Sequence, residues 1–197
     1  MHTPFLISTR ILLGAVLMAI AFQADGRAAN LKEESDSPPA VGDEAEDFEL
    51  AALDKSKVKL SALTEEGPVV LIVLRGYPGY QCPVCNQQVA SLLREKGKFR
   101  DAGAAVVLVY PGPAKDLKKH GEEFVRGKTL PDNFHLVIDP DYEFTNTYRL
   151  RWDESGETAY PSTFVIDKDR KIRFAKISKT HGGRSSVDDV LKALTKL

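Results

Sequence analysis

Two continuous apolar, β-branched segments constrain the fold of this chain more than any other feature of its sequence. They read PVVLIVL at residues 68–74 and AAVVLVY at residues 104–110. A strand that is buried on both faces of a sheet requires such an unbroken run, because a strand with one face in water alternates apolar and polar residues. The segment between the two runs carries apolar residues at helical spacing and stops near Gly103. The pattern predicts a strand–helix–strand unit whose second strand ends at Pro111.

The remaining elements continue this alternation of strands and helices. Apolar spacing and turn residues predict a hairpin with strands near 48–50 and 58–60, a helix over 114–126, a strand at 135–138, a short helix that begins at Pro140, and an antiparallel hairpin over 162–178. A last helix is predicted from Ser186, which can cap it together with Asp189. Its apolar stripe comprises Val187, Val190, Leu191, Leu194 and Leu197. This order of elements predicts an α/β three-layer sandwich.

The N-terminal segment has the pattern of a secretory signal peptide. MHTPFLISTR carries one arginine and no acidic residue, and the apolar run ILLGAVLMAIAF follows at residues 11–22. This run is short for a membrane span of about 20 residues, but it suits the h-region of a signal peptide, with Ala19-Ile20-Ala21 as a cleavage site and Ala24 as a weaker alternative. We therefore expect residues 1–24 to be removed and the protein to be periplasmic or secreted. The alternative is an uncleaved segment that tethers the protein to a membrane.

Composition and charge define the rest of the domain organisation. Residues 25–40 are polar and are predicted to be a disordered linker, so the folded domain is expected over residues 41–197. The chain has 27 basic and 28 acidic residues, which gives a formal net charge of −1 at pH 7. Because no basic face is apparent, binding to nucleic acid is not expected.

The chemistry of the chain is predicted to lie at its only two cysteines, in the segment RGYPGYQCPVCNQQ at residues 75–88. Pro83 is favoured at the first position of a helix, which makes Cys82 the N-cap and Cys85 the third helical residue. An N-cap thiolate accepts hydrogen bonds from free backbone N–H groups and lies at the positive end of the helix dipole. Such positions lower a cysteine pKa from about 8.5 to roughly 3.5–7.5. Arg75, in the preceding loop, offers a second cation for a thiolate.

Redox chemistry is the favoured interpretation of this cysteine pair. A structural zinc site needs four ligands, and His120, His135 and His181 show no ligand spacing, so neither a metal nor another cofactor is expected. A purely structural disulfide is the other alternative, but closing so short a loop constrains the unfolded chain very little. A C-x-x-C motif between a buried strand and a helix is typical of a redox-active pair.

These motifs resemble the AhpC/TSA, or peroxiredoxin-like, branch of the thioredoxin-like superfamily, over about residues 41–195. VGDEAEDFEL resembles the opening segment of the family, and YPSTFVIDKDRKIRF follows the C-x-x-C helix in the expected order. The resemblance implies a thioredoxin-like sandwich: a central mixed sheet with an N-terminal hairpin and one additional strand–helix unit between the cysteines and residue 161.

The resemblance leaves two reactions open, because two motifs overlap. The peroxiredoxin motif P-x-x-x-T/S-x-x-C aligns with Pro78, places Cys82 at the Thr/Ser position and makes Cys85 the peroxidatic cysteine. The thioredoxin motif makes Cys82 the nucleophile and implies a cis-proline at Pro161, which with Tyr160 would hold the backbone of a substrate.

The active-site arginine of peroxiredoxins is not found at its usual place. That arginine lies close before the strand that here reads FVID, roughly where this chain has Pro161. Arg149 and Arg151, some ten residues upstream, could supply the charge.

The sequence thus predicts an exported thiol-dependent oxidoreductase that cycles Cys82 and Cys85 between dithiol and disulfide. Its substrate would be a hydroperoxide or a disulfide, in a protein or a small molecule, and an external thiol would serve as reductant. A copper-binding protein of the Sco kind and a non-catalytic binding module with a thioredoxin fold are the alternatives.

Overall fold

The computed structural model describes residues 1–2 and 36–197, and residues 36–197 belong to one structural unit. The predicted signal peptide, apart from its first two residues, and most of the predicted linker lie outside the described residues. The strands are β1 (Glu49–Ala52), β2 (Lys57–Lys59), β3 (Val69–Val73), β4 (Ala105–Gly112), β5 (Phe134–Pro140), β6 (Ser162–Ile166) and β7 (Ile172–Ile177). The helices are α1 (Leu60–Glu66), α2 (Pro83–Arg94), α3 (Lys96–Asp101), α4 (Leu117–Val125), α5 (Glu143–Thr147) and α6 (Val187–Leu194).

All seven strands form one mixed sheet in the order β2-β1-β5-β4-β3-β6-β7. The three central strands β5, β4 and β3 are parallel, whereas β6 runs antiparallel to β3 and β7 antiparallel to β6. Every residue of β3 is buried, as its continuous apolar run predicts. At the other edge, β1 and β2 form the predicted N-terminal hairpin.

Buried side chains form a core on each face of this sheet. One cluster includes Val89 of α2, Phe124 of α4 and Val190 of α6. The other includes Leu60 of α1 and Phe144 of α5. Helices therefore cover both faces, and the prediction of an α/β three-layer sandwich is confirmed. Between the cysteines and residue 161 the chain forms two strand–helix pairs, β4–α4 and β5–α5, which accounts for the additional unit.

Several predicted element boundaries were wrong, because the prediction places the end or the beginning of an element at a proline and the folded chain does not follow that rule. Strand β4 does not end at Pro111, because Pro111 and Gly112 continue the parallel pairing with β5. Pro140 does not begin a helix but ends β5. The short helix α5 begins three residues later, where the buried carboxylate of Asp139 accepts the backbone N–H groups of Phe144 and Thr145 at 2.9 and 3.0 Å.

The last helix agrees with its prediction at the beginning and departs from it at the end. Ser186 and Asp189 form the expected capping box: the side chain of each accepts the backbone N–H of the other. Leu197 does not belong to the apolar stripe, since it lies beyond the helix and is 51% exposed. Within residues 1–2 and 36–197, no helix is long and apolar enough to span a membrane.

Candidate active site

Cys82 and Cys85 lie where the central strand β3 leads into helix α2. As predicted, Cys82 is the N-cap of α2 and Pro83 is its first residue. The Sγ atom of Cys82 accepts the backbone N–H of Cys85 at 3.2 Å. The two cysteines form a disulfide with their Cα atoms 5.3 Å apart. Both are almost inaccessible, with 2% of Cys82 and 0% of Cys85 exposed.

The loop before the cysteines, residues 74–81, is fixed against strand β4; we call it the cysteine loop. The N–H of Tyr77 donates to the carbonyl of Pro111 at 3.0 Å. Gly76 has a φ of +68°, and a Cβ at this position would overlap the same carbonyl. A glycine is therefore required here both for its backbone conformation and for the close approach of the two chain segments. The extension of β4 through residue 112 is what supports the loop.

The side chain of Gln81 anchors the end of this loop directly before Cys82. The buried hydroxyl of Tyr110 donates to Gln81 Oε1 at 2.9 Å, and Gln81 Nε2 donates to the carbonyl of His120 at 2.9 Å. The ring of Tyr77 stacks on the imidazole of His120, with their centroids 3.5 Å apart. Helix α4 and strand β4 together therefore fix the position from which helix α2 begins.

Among the described residues, the cation that contacts the sulfurs is Arg184, which the sequence did not single out. Its Nη2 lies 3.4 Å from Cys85 Sγ and 3.9 Å from Cys82 Sγ. Its other nitrogens are also bound: Nη1 donates to Gln88 Oε1 at 2.6 Å, and Nε donates to the carbonyl of His181 at 3.0 Å. The guanidinium is thus oriented on all three sides.

Arg184 is half-buried, and within the described part of the chain no carboxylate lies within ion-pairing distance of it. Burial and repulsion from Arg75 lower the pKa of Arg184 to about 10. The arginine remains cationic at neutral pH, so it carries a positive charge directed at the disulfide. A cation in this environment is stabilised when one of the sulfurs becomes a thiolate.

The sequence could have indicated Arg184 only through the topology of the sheet. Strand β6 runs antiparallel to β3, and β7 runs antiparallel to β6. The carboxyl end of β7 therefore lies at the same edge as the carboxyl end of β3, where the cysteines are found. The segment between β7 and α6 has to pass this edge, and Arg184 is its charged residue closest to the sulfurs.

Arg75 belongs to the cysteine loop, and its guanidinium is bound by groups other than the sulfurs. Its three nitrogens donate to Glu157 Oε2 at 2.6 Å, to the hydroxyl of Tyr80 at 2.6 Å and to the carbonyl of Gly156 at 2.7 Å. Burial acts to lower the pKa of Arg75, but the hydrogen bonds to Glu157 and Tyr80 outweigh it and raise the pKa above its usual value. Pro78 lies in the cysteine loop and lines a cavity of about 510 Å³ with Tyr77, His120 and Tyr142.

Tyr160 and Pro161 lie directly before strand β6. The resemblance implies a cis-proline at Pro161. This prediction was wrong, since none of the described peptide bonds is cis. Trans is the preferred isomer by about 0.5–1 kcal/mol, and the trans chain enters the sheet at once, where the Pro161 carbonyl accepts the N–H of Ser178 at 2.9 Å. The backbone of Tyr160 is occupied as well: its N–H donates to Leu150, and its carbonyl accepts the hydroxyl of Ser162.

The two upstream arginines do not supply the active-site charge. Arg151 donates to the backbone carbonyls of Trp152 and Thr158, and its guanidinium lies 4.0 Å from the ring centroid of Tyr142. Arg149 donates to the carbonyl of Thr147 at 2.8 Å. The described residues contain no cluster of three His, Cys, Asp or Glu side chains that could hold a metal ion.

A groove of about 440 Å³ between helices α2 and α6 leads to Arg184. Apolar side chains of both helices line it, including Val84, Leu92, Val187 and Val190. The groove runs along the length of α2, and neither Cys82 nor Cys85 is among the residues that line it. Arg184 is itself one of the residues that line the groove.

Comparison with known proteins identifies the family. Residues 41–175 match the model of the AhpC/TSA family. The chain is 28% identical, over 134 residues, to a Mycobacterium tuberculosis strain CDC 1551 protein named "Putative peroxiredoxin MT1643"; the match covers 67% of this chain and 81% of the relative.

Two solved structures from Mycobacterium tuberculosis share the fold. Peroxidoxin BcpB is 25% identical to this chain, and the two structures superpose with a TM-score of 0.62. The alignment covers 80% of this chain and 97% of the other. AhpC is 19% identical, with a TM-score of 0.65 over 81% and 98% of the two chains. Two predictions from the sequence are thus confirmed: the peroxiredoxin-like fold, and the enzyme class of a thiol-dependent oxidoreductase. The chain belongs to the AhpC/TSA family.

Proposed function

We propose that this protein reduces hydroperoxides, with Cys85 as the peroxidatic cysteine and Cys82 as the resolving cysteine. The observation that carries this proposal is the position of Arg184, whose Nη2 lies closer to Cys85 Sγ, at 3.4 Å, than to Cys82 Sγ, at 3.9 Å. A cation beside a cysteine favours the thiolate, which is the nucleophilic form. Arg184 thereby takes the role of the arginine that other family members carry before the strand equivalent to β6.

The reaction proceeds in three steps. The Cys85 thiolate attacks one oxygen of the hydroperoxide and breaks the O–O bond; with one proton taken up, the products are a Cys85 sulfenic acid and an alcohol or water. The thiol of Cys82 then attacks the sulfenic sulfur, so that the disulfide forms and water leaves. Finally, two equivalents of an external thiol reduce the disulfide and leave as their own disulfide.

The surroundings of the cysteine pair favour a small substrate over a protein disulfide. Both cysteines are nearly inaccessible in the oxidised state, which suits a peroxide better than a polypeptide. The backbone groups of Tyr160, which could otherwise bind an extended substrate chain, are already paired within the protein. The groove between α2 and α6 supports the entry of a small molecule towards Arg184.

Thiol–disulfide exchange with Cys82 as the nucleophile is the second candidate. It is favoured by the N-cap position of Cys82, whose Sγ accepts the backbone N–H of Cys85 at 3.2 Å. A thiolate at Cys82 would retain this hydrogen bond and the favourable interaction with the helix dipole. Both reactions end in the same disulfide, so the structure of the oxidised site is compatible with either.

The consumption of one equivalent of hydrogen peroxide by the reduced protein distinguishes the two reactions. We expect a rate constant several orders of magnitude above that of free cysteine. Cys85→Ser should abolish this reaction, whereas Cys82→Ser should retain the first step and accumulate a sulfenic acid at Cys85. A rate no faster than free cysteine, or loss of the first step in Cys82→Ser alone, would contradict the peroxidase proposal and favour exchange.

We also propose that the protein is exported, on the basis of residues 1–24 of the sequence alone. Expression with this segment in a Gram-negative host, followed by fractionation and intact-mass measurement, tests the proposal. A periplasmic protein that begins close after Ala21 supports cleavage. A membrane-bound protein with its N-terminus intact would support the tether instead.

A further inference from the structure

Arg184 lies in a loop that side chains hold at three points; we call residues 179–185, between β7 and α6, the arginine loop. At its start, the hydroxyl of Ser178 donates to the carbonyls of Thr180, at 2.8 Å, and of Gly182. At its end, the hydroxyl of Ser185 donates to Thr163 Oγ1 at 2.8 Å. Between these two points the loop is held by the imidazole of His181, whose backbone carbonyl also binds Arg184.

His181 connects Arg184 to a buried carboxylate. Its Nε2 lies 2.8 Å from Glu157 Oε1, and its backbone carbonyl accepts the Nε–H of Arg184 at 3.0 Å. The side chain of Glu157 is only 12% exposed and also binds Nε of Arg75, whose side chain is 4% exposed. The carboxylate is therefore held in place by Arg75, and it fixes His181 relative to the sheet.

We propose, on the basis of the function proposed above, that His181 and Glu157 are positioning residues for Arg184. The imidazole binds the carboxylate, the backbone carbonyl of the same residue orients the guanidinium, and the guanidinium then lies on Cys85 Sγ. Without the imidazole contact, the loop keeps the hydrogen bonds of Ser178 and Ser185 at its two ends, but His181 is no longer tied to Glu157. Glu157 has a second effect, since it neutralises Arg75, so that among the described residues Arg184 is the cation that faces the sulfurs without a carboxylate partner.

The charges around the cysteine pair support this division of roles. Arg75 and Glu157 form a buried ion pair at 2.6 Å, so their combined field at the sulfurs is small. In the part of the chain that the structure describes, the other partners of Arg184 are neutral: the carbonyl of His181 and the amide oxygen of Gln88. Burial and repulsion from Arg75 lower the pKa of Arg184. A shift of the arginine loop would therefore move the positive charge of Arg184 away from Cys85 Sγ and weaken the stabilisation of a thiolate there.

Two substitutions of His181 separate its hydrogen bond from its packing. The ring of His181 lies 5.4 Å from the ring of Trp152, measured between centroids, and its side chain is 48% exposed, so the protein should fold with either substitution. His181→Phe keeps a ring against Trp152 but cannot bind Glu157. His181→Gln lacks the ring but keeps a nitrogen donor for the carboxylate.

The readouts are the thiolate pKa of Cys85, from the absorbance of the reduced protein at 240 nm in a Cys82→Ser background, and the rate constant with hydrogen peroxide at pH 7. For His181→Phe we expect the thiolate pKa to rise and the rate constant to fall by about 3–10-fold, the range that one hydrogen bond supports. His181→Gln should remain close to the parent protein in both. A purely structural role would alter the melting temperature and leave the thiolate pKa unchanged.

The proposal is overturned if His181→Phe matches the parent protein in both readouts, or if His181→Gln loses as much as His181→Phe, which would assign the effect to ring packing. Arg184→Gln in the same background distinguishes this failure from failure of the proposed function. If Arg184→Gln raises the thiolate pKa but His181→Phe does not, only the positioning role is wrong. If Arg184→Gln leaves the thiolate pKa unchanged, the proposed role of Arg184 is wrong as well.

Discussion

At the scale of single residues, the two sulfurs differ in the group that would stabilise each as a thiolate. Cys82 relies on the N-terminus of α2, where its Sγ accepts the N–H of Cys85. Cys85 relies on Arg184, whose guanidinium is oriented by Gln88 and His181. One contribution comes from the backbone of the helix and the other from a side chain 99 positions away in sequence. Substitutions can therefore weaken them independently.

Arg184→Gln and Arg184→Lys test the contribution of the guanidinium. We expect the rate constant with hydrogen peroxide to fall by about 10²-fold in Arg184→Gln, which is the scale of losing one group that stabilises developing charge. Arg184→Lys should recover part of this loss, because an ammonium keeps the charge but cannot bind His181, Gln88 and the sulfurs in one plane. Stopped-flow measurement of peroxide consumption gives both values, and equal rates for all three proteins would contradict the prediction.

Cys82→Ser and Cys82→Ala test the N-cap. Serine accepts the N–H of Cys85 through its hydroxyl, whereas alanine leaves that donor without an acceptor. With the reduced protein as reference, we expect Cys82→Ala to be about 1 kcal/mol less stable than Cys82→Ser. Urea unfolding monitored by circular dichroism measures the difference. Equal stabilities would mean that the first turn of α2 does not depend on this cap.

At the scale of secondary-structure elements, the site depends on two loops that meet at one edge of the sheet. The cysteine loop follows β3 and is supported by the extension of β4, while the arginine loop follows β7. Because β7 and β3 have their carboxyl ends at the same edge, the order of the strands brings Arg184 to the cysteines. A cation can thus reach the cysteines from the segment after β7 without any change of the sheet.

Gly76→Ala and Gly79→Ala test how closely the cysteine loop must approach β4. Both glycines have positive φ angles, +68° and +114°, so an alanine strains the backbone at either position, by roughly 1–3 kcal/mol. A Cβ at residue 76 would also overlap the carbonyl of Pro111, whereas a Cβ at residue 79 would meet no atom within 4 Å. We expect Gly76→Ala to be clearly less stable in urea than Gly79→Ala and to lose more peroxidase activity. A smaller effect at residue 76 than at residue 79 would contradict this account.

At the scale of the whole molecule, the sequence predicted what depends on neighbouring residues and missed what depends on the folded chain. The strands, the N-cap at Cys82 and the capping box at Ser186 follow from local patterns, and all were found. The cis peptide at Pro161 was implied by the resemblance alone, and the folded chain has a trans peptide there. The contact of Arg184 with the sulfurs depends on strand order, because no local pattern relates residues 85 and 184.

Several carboxylates with lowered pKa values make the stability of the whole domain sensitive to acid. Burial acts to raise the pKa of Glu157, but hydrogen bonds from Arg75 and His181 outweigh it and lower the pKa overall. The pKa of Asp167 is lowered in the same way, by backbone hydrogen bonds and by Arg173. The pKa shift of Asp139 has the opposite sign, because burial outweighs the three hydrogen bonds to its carboxylate and raises the pKa.

The direction of the pH effect follows from these shifts. A carboxyl whose pKa is lower in the folded state contributes stability that is present above its unfolded pKa, about 3.9 for Asp and 4.3 for Glu, and that is lost as the pH falls through the folded value. Glu157 and Asp167 therefore predict that the free energy of unfolding decreases below about pH 4.5. Asp139 acts against this decrease, because its contribution is present at low pH and lost as the pH rises.

Glu157→Gln is the variant that tests this balance, since it removes one titrating group while it keeps the side-chain volume. It leaves Arg75 buried without a counter-ion, so we expect lower stability than the parent protein at pH 7. Between pH 5 and pH 3, however, the variant should lose less of its free energy of unfolding than the parent, because glutamine has no proton to bind. Urea denaturation at a series of pH values gives both curves. Parallel curves would show that the Glu157 carboxylate binds a proton equally well in the folded and unfolded states, and acid sensitivity would then arise elsewhere in the domain.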